Sequence, residues 1–143
     1  VVLRFSNVYG ERQGDGGEGG VISIFAKRLA KGQDINIFGN GKQTRDFVYA
    51  GDIARGIRLA LTTKNADTCY NLSTQTEISL NELVTILSRI TGKEITPSYG
   101  PAREGDIYRS SLSNEKAVKN LHWTPEVSLE EGLKRTYQYF QKQ

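Results

Sequence analysis

Gly14, Gly16 and Gly19 stand in the spacing G-x-G-x-x-G, and Gly14, Gly17 and Gly20 in the spacing G-x-x-G-x-x-G. Glycines so placed let backbone amides close on a diphosphate at a helix start, the way dinucleotides are held. An apolar stretch precedes them, a helical pattern follows, and Asp34 lies about 20 residues on, where a ribose-binding acid is sought. Three physical points count against that chemistry. The glycine turn should follow its strand at once, whereas Asn7 to Gln13 intervene. Asp15 and Glu18 would repel a diphosphate held there. Asp34 comes before Ile35 begins the second strand, not at its end. The stretch reads better as a glycine-rich loop over a substrate.

Metal chemistry is short of ligands. Cys69 is the only cysteine and His122 the only histidine, which excludes a multi-Cys zinc site, a His-rich site and an internal disulfide. A lone Cys also points to a reducing, cytoplasmic setting. Cys69 reads as a small buried hydrophobe, His122 beside Trp123 as structural, and Tyr9 and Tyr49 as packing residues.

The elements that must position any site alternate. Val1 to Val8 reads as a buried strand. Ile22, Phe25 and Leu29 share a helix face stopped by Gly32. Ile35 to Phe38 is a short strand, and Gly39-Asn40-Gly41 a turn able to reverse it. Arg45 to Tyr49 alternates as a strand, and Asp52 stands as N-cap to a helix with apolar face Ile53, Ile57, Ala60 and Leu61. Strands follow at Tyr70–Leu72 and Ile95–Tyr99, with a short helix near Asn114–Leu121. Ser79 and Glu82, and again Ser128 and Glu131, have capping-box spacing before helices, the first of which Gly92 stops. The last helix buries Leu129, Leu133, Tyr137 and Phe140. The class is α/β.

At 143 residues the chain has the size of one ordinary domain, and 37% hydrophobic with 24% charged residues fits a globular protein. Nineteen Lys and Arg against 16 Asp and Glu give +3 with no basic run, so nucleic acid is not expected as a partner. No apolar stretch approaches the roughly 20 residues that cross a bilayer, so no membrane is expected either. The chain contains no Met, opens on Val1-Val2-Leu3, and has few strands to flank that apolar opening strand. The expectation is the later part of a longer polypeptide.

Leu3-Arg4-Phe5-Ser6-Asn7-Val8-Tyr9-Gly10-Glu11-Arg12-Gln13, then Gly17-Glu18-Gly19-Gly20-Val21-Ile22, resembles the C-terminal half of the NAD-dependent epimerase/dehydratase family. These are the extended short-chain dehydrogenase/reductases that act on nucleotide sugars. The likeness continues through Ile37-Phe38-Gly39, Gln43 to Tyr49, Asp52, Tyr70-Asn71-Leu72, Arg103 to Ile107, Leu121 to Pro125 and Glu131-Gly132-Leu133. It covers essentially all of residues 1–143. Gly17 to Phe25 looks more like UDP-glucose 4-epimerases than 4,6-dehydratases.

The resemblance implies the substrate-binding part of such an enzyme, with the last strands and a helix of a Rossmann-type sheet. The N-terminal Rossmann half, with most of the NAD site, would lie elsewhere in the polypeptide, and the parent would be a homodimer. The family's Tyr-x-x-x-Lys base is missing: none of the seven Tyr has Lys four residues on. No catalytic residue is therefore assigned, and the chain alone is expected to catalyse nothing. Arg45 and Arg103 match the family's phosphate-contacting arginines, whose planar forks suit a diphosphate. Asp106 matches the acid that accepts from ribose hydroxyls. Asn36, Ile37 and Phe38 match the segment that holds the base, and Asn7 a substrate-contacting Asn. Gly20, Val21 and Ile22 would cover the sugar nucleotide. Phe5 and Ser6 match positions beside the nicotinamide of NAD, though many members have an aromatic in place of Ser6. Ser110, where some members have Tyr, would leave room for a bulkier sugar such as an N-acetylated one. The implied parent is a UDP-sugar 4-epimerase. The alternatives are a 4,6-dehydratase or decarboxylase, or a non-catalytic sugar-nucleotide-binding module.

Overall fold

The computed structural model describes residues 1–14 and 20–143. Asp15, Gly16, Gly17, Glu18 and Gly19, with most of the glycine spacing and part of the Gly17–Phe25 likeness, lie outside the described residues. The elements run β1 (Val2–Phe5), β2 (Asn7–Tyr9), α1 (Val21–Ala30), β3 (Asn36–Phe38), β4 (Thr44–Arg45), β5 (Phe47–Tyr49) and α2 (Ala50–Leu61). There follow β6 (Cys69–Leu72), β7 (Ile78–Ser79), α3 (Leu80–Thr91), β8 (Ser98–Gly100), α4 (Glu115–Leu121) and α5 (Leu129–Gln141).

The strands pair two by two. β1–β6, β2–β5 and β3–β8 are parallel, and β4–β7 is antiparallel. The opening strand is thus two strands, because the chain changes partner at Ser6. The Ser6 amide donates to the Leu72 carbonyl at 3.1 Å, and the Asn7 amide to the Asp46 carbonyl at 2.8 Å. The expected strand Arg45–Tyr49 also divides, at Asp46. That carboxylate is fully buried and accepts from the Ser6 hydroxyl, the Thr74 amide and hydroxyl, and the Gln75 amide. A buried acid demands such partners, and meeting them bends the strand away from its ladder.

Other expectations need correction. Gly39–Gly41 does not reverse β3 into a hairpin; with positive φ of 92° and 74° at Gly39 and Gly41, it carries the chain from one strand pair to another. Asp52 is not an N-cap, since α2 begins at Ala50. It is buried in the first turn, where it accepts from the Glu126 and Val127 amides and pairs with Arg55. Ile57 and Leu61 of the expected apolar face are exposed, as are Val2 and Phe5 of β1.

The core divides across β2 and β5, whose side chains alternate between two faces. Tyr9 and Phe47 join Ile22, Phe25, Leu83, Leu87 and Leu133 beneath α1, α3 and α5. Val48 joins Ile53, Tyr70, Leu72, Leu121 and Trp123 beneath α2 and α4. Ser79 and Glu82 form the full reciprocal box at α3, and Gly92 ends that helix at φ 67°. At α5 half the box forms: Ser128 accepts from the Glu131 amide, while the Glu131 carboxylate binds Arg135.

Candidate functional site

α1, β3, β4 and the extended segment after β8 meet around a cavity of about 230 Å³. Its lining includes Asn7, Val21, Asn36, Ile37, Phe38, Arg45, Arg103 and Asp106, eight residues singled out from sequence and scattered across 100 positions from 7 to 106. The apolar floor adds Ile24, Phe25 and Leu80.

Arg45, Arg103, Asp106 and Asn36 are each held by neighbours. Arg45 ends β4; one guanidinium nitrogen donates to the Thr44 carbonyl and another meets the Asp106 carboxylate, both at 2.8 Å. Arg103 stacks on Phe38, its guanidinium carbon 4.0 Å from the ring centroid, an arrangement that favours a cation over a π face. Gly105, at φ 77°, permits the tight turn in which the Asp106 amide donates to the Arg103 carbonyl at 3.2 Å. That turn puts both residues on one rim. Asn36 accepts at its side-chain oxygen from the Ser98 hydroxyl, 3.0 Å away.

Gln43 belongs to the site and was not singled out. It is buried, lines the cavity, and its side-chain amide donates to the Phe38 carbonyl at 2.6 Å. Phe25 carried a signal only as part of a helix face, so its second role as floor was invisible in the periodicity.

Some expected residues stand apart from the lining. Ile22 is core, with 1% of its surface exposed. Gly20 caps α1, its carbonyl accepting from the Ser23 hydroxyl at 2.8 Å. Ser110 is half-buried on the extended segment beyond the cavity, and Ser6 is engaged with Asp46. Phe5 lies exposed at the end of β1.

Behind the rim, Glu77 accepts from the Thr44 hydroxyl at 2.7 Å and from two Arg109 nitrogens at 2.9 and 2.5 Å. The Arg109 bonds, then the Thr44 bond, hold its carboxyl down at about 2. His122 ends α4 in the left-handed region at φ 52°, a structural position where glycine is easiest.

Two guanidiniums and one carboxylate above an apolar floor suit an anionic ligand that also carries hydroxyls and a flat ring. The chain belongs to the NAD dependent epimerase/dehydratase family, whose pattern matches residues 1–73. Its α/β structure corresponds to the C-terminal part of the extended short-chain dehydrogenase/reductase epimerases. It is similar to the crystal structure of UDP-glucose 4-epimerase with UDP-glucose from Thermotoga maritima. That match has a TM-score of 0.94 and 44% identity, over 99% of this chain and 45% of that one. A curated UDP-glucose 4-epimerase of Mycolicibacterium smegmatis is 38% identical over 94% of this chain and 43% of its own length. UDP-glucuronic acid decarboxylase 1 of Xenopus tropicalis is 32% identical over 99% of this chain and 33% of its own. The chain therefore spans less than half the length of these relatives. Among the described residues, no helix is long and apolar enough to cross a membrane.

Proposed function

We propose that this chain forms the nucleotide-sugar-binding wall of an NAD-dependent UDP-hexose 4-epimerase. The observation that carries the reading is the convergence of Arg45, Arg103 and Asp106 with Asn36–Phe38 on one cavity. In this reading the two arginines hold the diphosphate, and Asp106 accepts from the ribose hydroxyls with the oxygen that Arg45 leaves free. Asn36 to Phe38 hold the base by backbone bonds and apolar contact. Asn7, Gly20, Val21 and Ile22 face or back the sugar side, and Ser110 borders the sugar.

NAD, when bound, supplies the hydride acceptor. The residues of this chain fit an edge of that group and not its whole site. Phe5 offers an exposed apolar surface, whereas the Ser6 hydroxyl is engaged. The remaining NAD site and the Tyr-x-x-x-Lys base belong to an N-terminal Rossmann half of the same polypeptide, and the parent works as a homodimer in the cytoplasm. What this chain does is bind and orient.

Thermal unfolding with and without UDP tests the reading. A rise in the midpoint that grows with UDP and is absent with uridine supports it. No rise at millimolar UDP overturns it for the isolated chain. The decarboxylase relative keeps a sister reaction in view; in the parent enzyme, release of carbon dioxide from UDP-glucuronate in place of epimerisation would select it.

A further inference from the structure

We infer that Glu77 and Arg109, together with Thr44, form a clamp that sets the position of the ligand-reading segment, so that both are positioning residues for nucleotide-sugar binding. The inference rests on the reading of the cavity given above.

Residues 101–111, which carry Arg103, Asp106 and Ser110, contain neither helix nor strand. Backbone without a ladder holds one shape only where other bonds fix it. The segment runs from Gly100, whose carbonyl accepts from the Gly39 amide, to Leu112, whose carbonyl accepts from the Ser73 hydroxyl. Between those points its ties to the body, among the described residues, are Arg103 on Phe38, Asp106 to Arg45, the Tyr108 carbonyl to the Thr44 amide at 2.9 Å, and Arg109 to Glu77. The first two involve groups that a nucleotide would engage. The last two use no group assigned to the ligand, and they converge on Thr44 and Glu77.

Thr44 donates its amide to the segment and its hydroxyl to Glu77, while Glu77 grips Arg109 through a two-point fork. Thr44 directly precedes Arg45, and Arg109 directly precedes Ser110. One carboxylate therefore fixes the distance between the strand bearing Arg45 and the segment bearing Asp106. Glu77 itself is anchored next to β7, which pairs with β4 in the register Arg45↔Ile78. The Arg109 side chain is 75% exposed, so the pair adds little to global stability. Its consequence is local geometry.

The test is amide exchange and UDP calorimetry on the chain carrying E77Q, R109A, R109K or both E77Q and R109A. The clamp predicts that E77Q and R109A each speed exchange at the Thr44 and Asp106 amides by about tenfold, with α3 and α5 unchanged. UDP affinity should fall about three- to tenfold in each, no further in the double variant, and R109K should recover only part. Unchanged exchange at Thr44 and Asp106 in both single variants overturns the clamp. So does unchanged UDP affinity in variants of a chain that binds UDP. If the parent chain binds no UDP, the cavity reading fails, and exchange still decides whether the clamp exists.

Discussion

Arg45 and Asp106, 61 residues apart in sequence, meet through a 2.8 Å ion pair at the rim of the cavity. Under the proposed function each is a group that a nucleoside diphosphate would seek, and the pair would act as a preassembled reader. Charge-assisted bonds to a buried or half-buried partner are worth about 1.5–3 kcal/mol. Arg45→Ala should weaken UDP binding about 10- to 100-fold by calorimetry. Under the proposed ribose role, Asp106→Ala should weaken UDP by about tenfold but hardly affect a 2′,3′-dideoxy analogue, which has no hydroxyls for the lost acceptor. Equal losses for both ligands would remove Asp106 from the ribose.

Arg103 depends on Phe38 as a platform, and Phe38 in turn on Gln43, which holds its carbonyl. Phe38→Leu keeps apolar bulk but removes the π face. It should weaken UDP by about threefold, and Arg103→Ala in the same background should then cost less than in the parent. Additive losses in the four-variant cycle would mean that the stacking does not orient the guanidinium.

The parts of this structure legible in sequence were those set by local chemistry. The Ser79–Glu82 box and the stop at Gly92 follow from spacing alone and stand as expected. Arg45, Arg103 and Asp106 are marked in the sequence by family likeness alone, because nothing local says that positions 45 and 106 touch. What escaped was governed by long-range partners. Asp46 looked like one polar residue in an alternating strand, yet its four donors come from Ser6, Thr74 and Gln75, and they break the strand. Asp52 had the look of a cap, but its acceptor capacity goes to amides 74 and 75 residues away. Gln43 is silent in the sequence, because a buried amide bonded to a carbonyl has no spacing signature.

Asp46 offers a stability test of that point. Removing its carboxylate strands the Thr74 and Gln75 amides and two hydroxyls in a dry setting. Asp46→Ala should cost about 3–5 kcal/mol by denaturant unfolding. A loss below about 1 kcal/mol would show that water replaces the carboxylate.

Gly132 sits against Tyr9, where an added Cβ would come within 2.7 Å of the ring carbon bearing the hydroxyl. That ring is wedged edge-on against Phe47 and Tyr49 and has little room to yield. Gly132→Ala should therefore destabilise the chain by about 2 kcal/mol despite the better helix propensity of Ala. His122→Gly, by contrast, relieves a left-handed helix end and should be neutral or stabilising by up to about 1 kcal/mol.

Glu77 supplies a pH readout of the clamp. Its carboxyl is lowered from the ordinary 4.5 to about 2, first by Arg109 and then by Thr44. A lowered folded value means that its stabilising contribution is fully present above 4.5 and fades as pH falls through about 2. The side-chain carbon resonance of Glu77, followed by NMR, should accordingly titrate near 2 in the parent chain and move up toward 4.5 in Arg109→Ala. The Thr44 hydroxyl alone should keep the variant slightly below the ordinary value. A parent midpoint near 4.5 would mean that Arg109 leaves the carboxylate in solution, and the segment carrying Asp106 would lose its anchor with it.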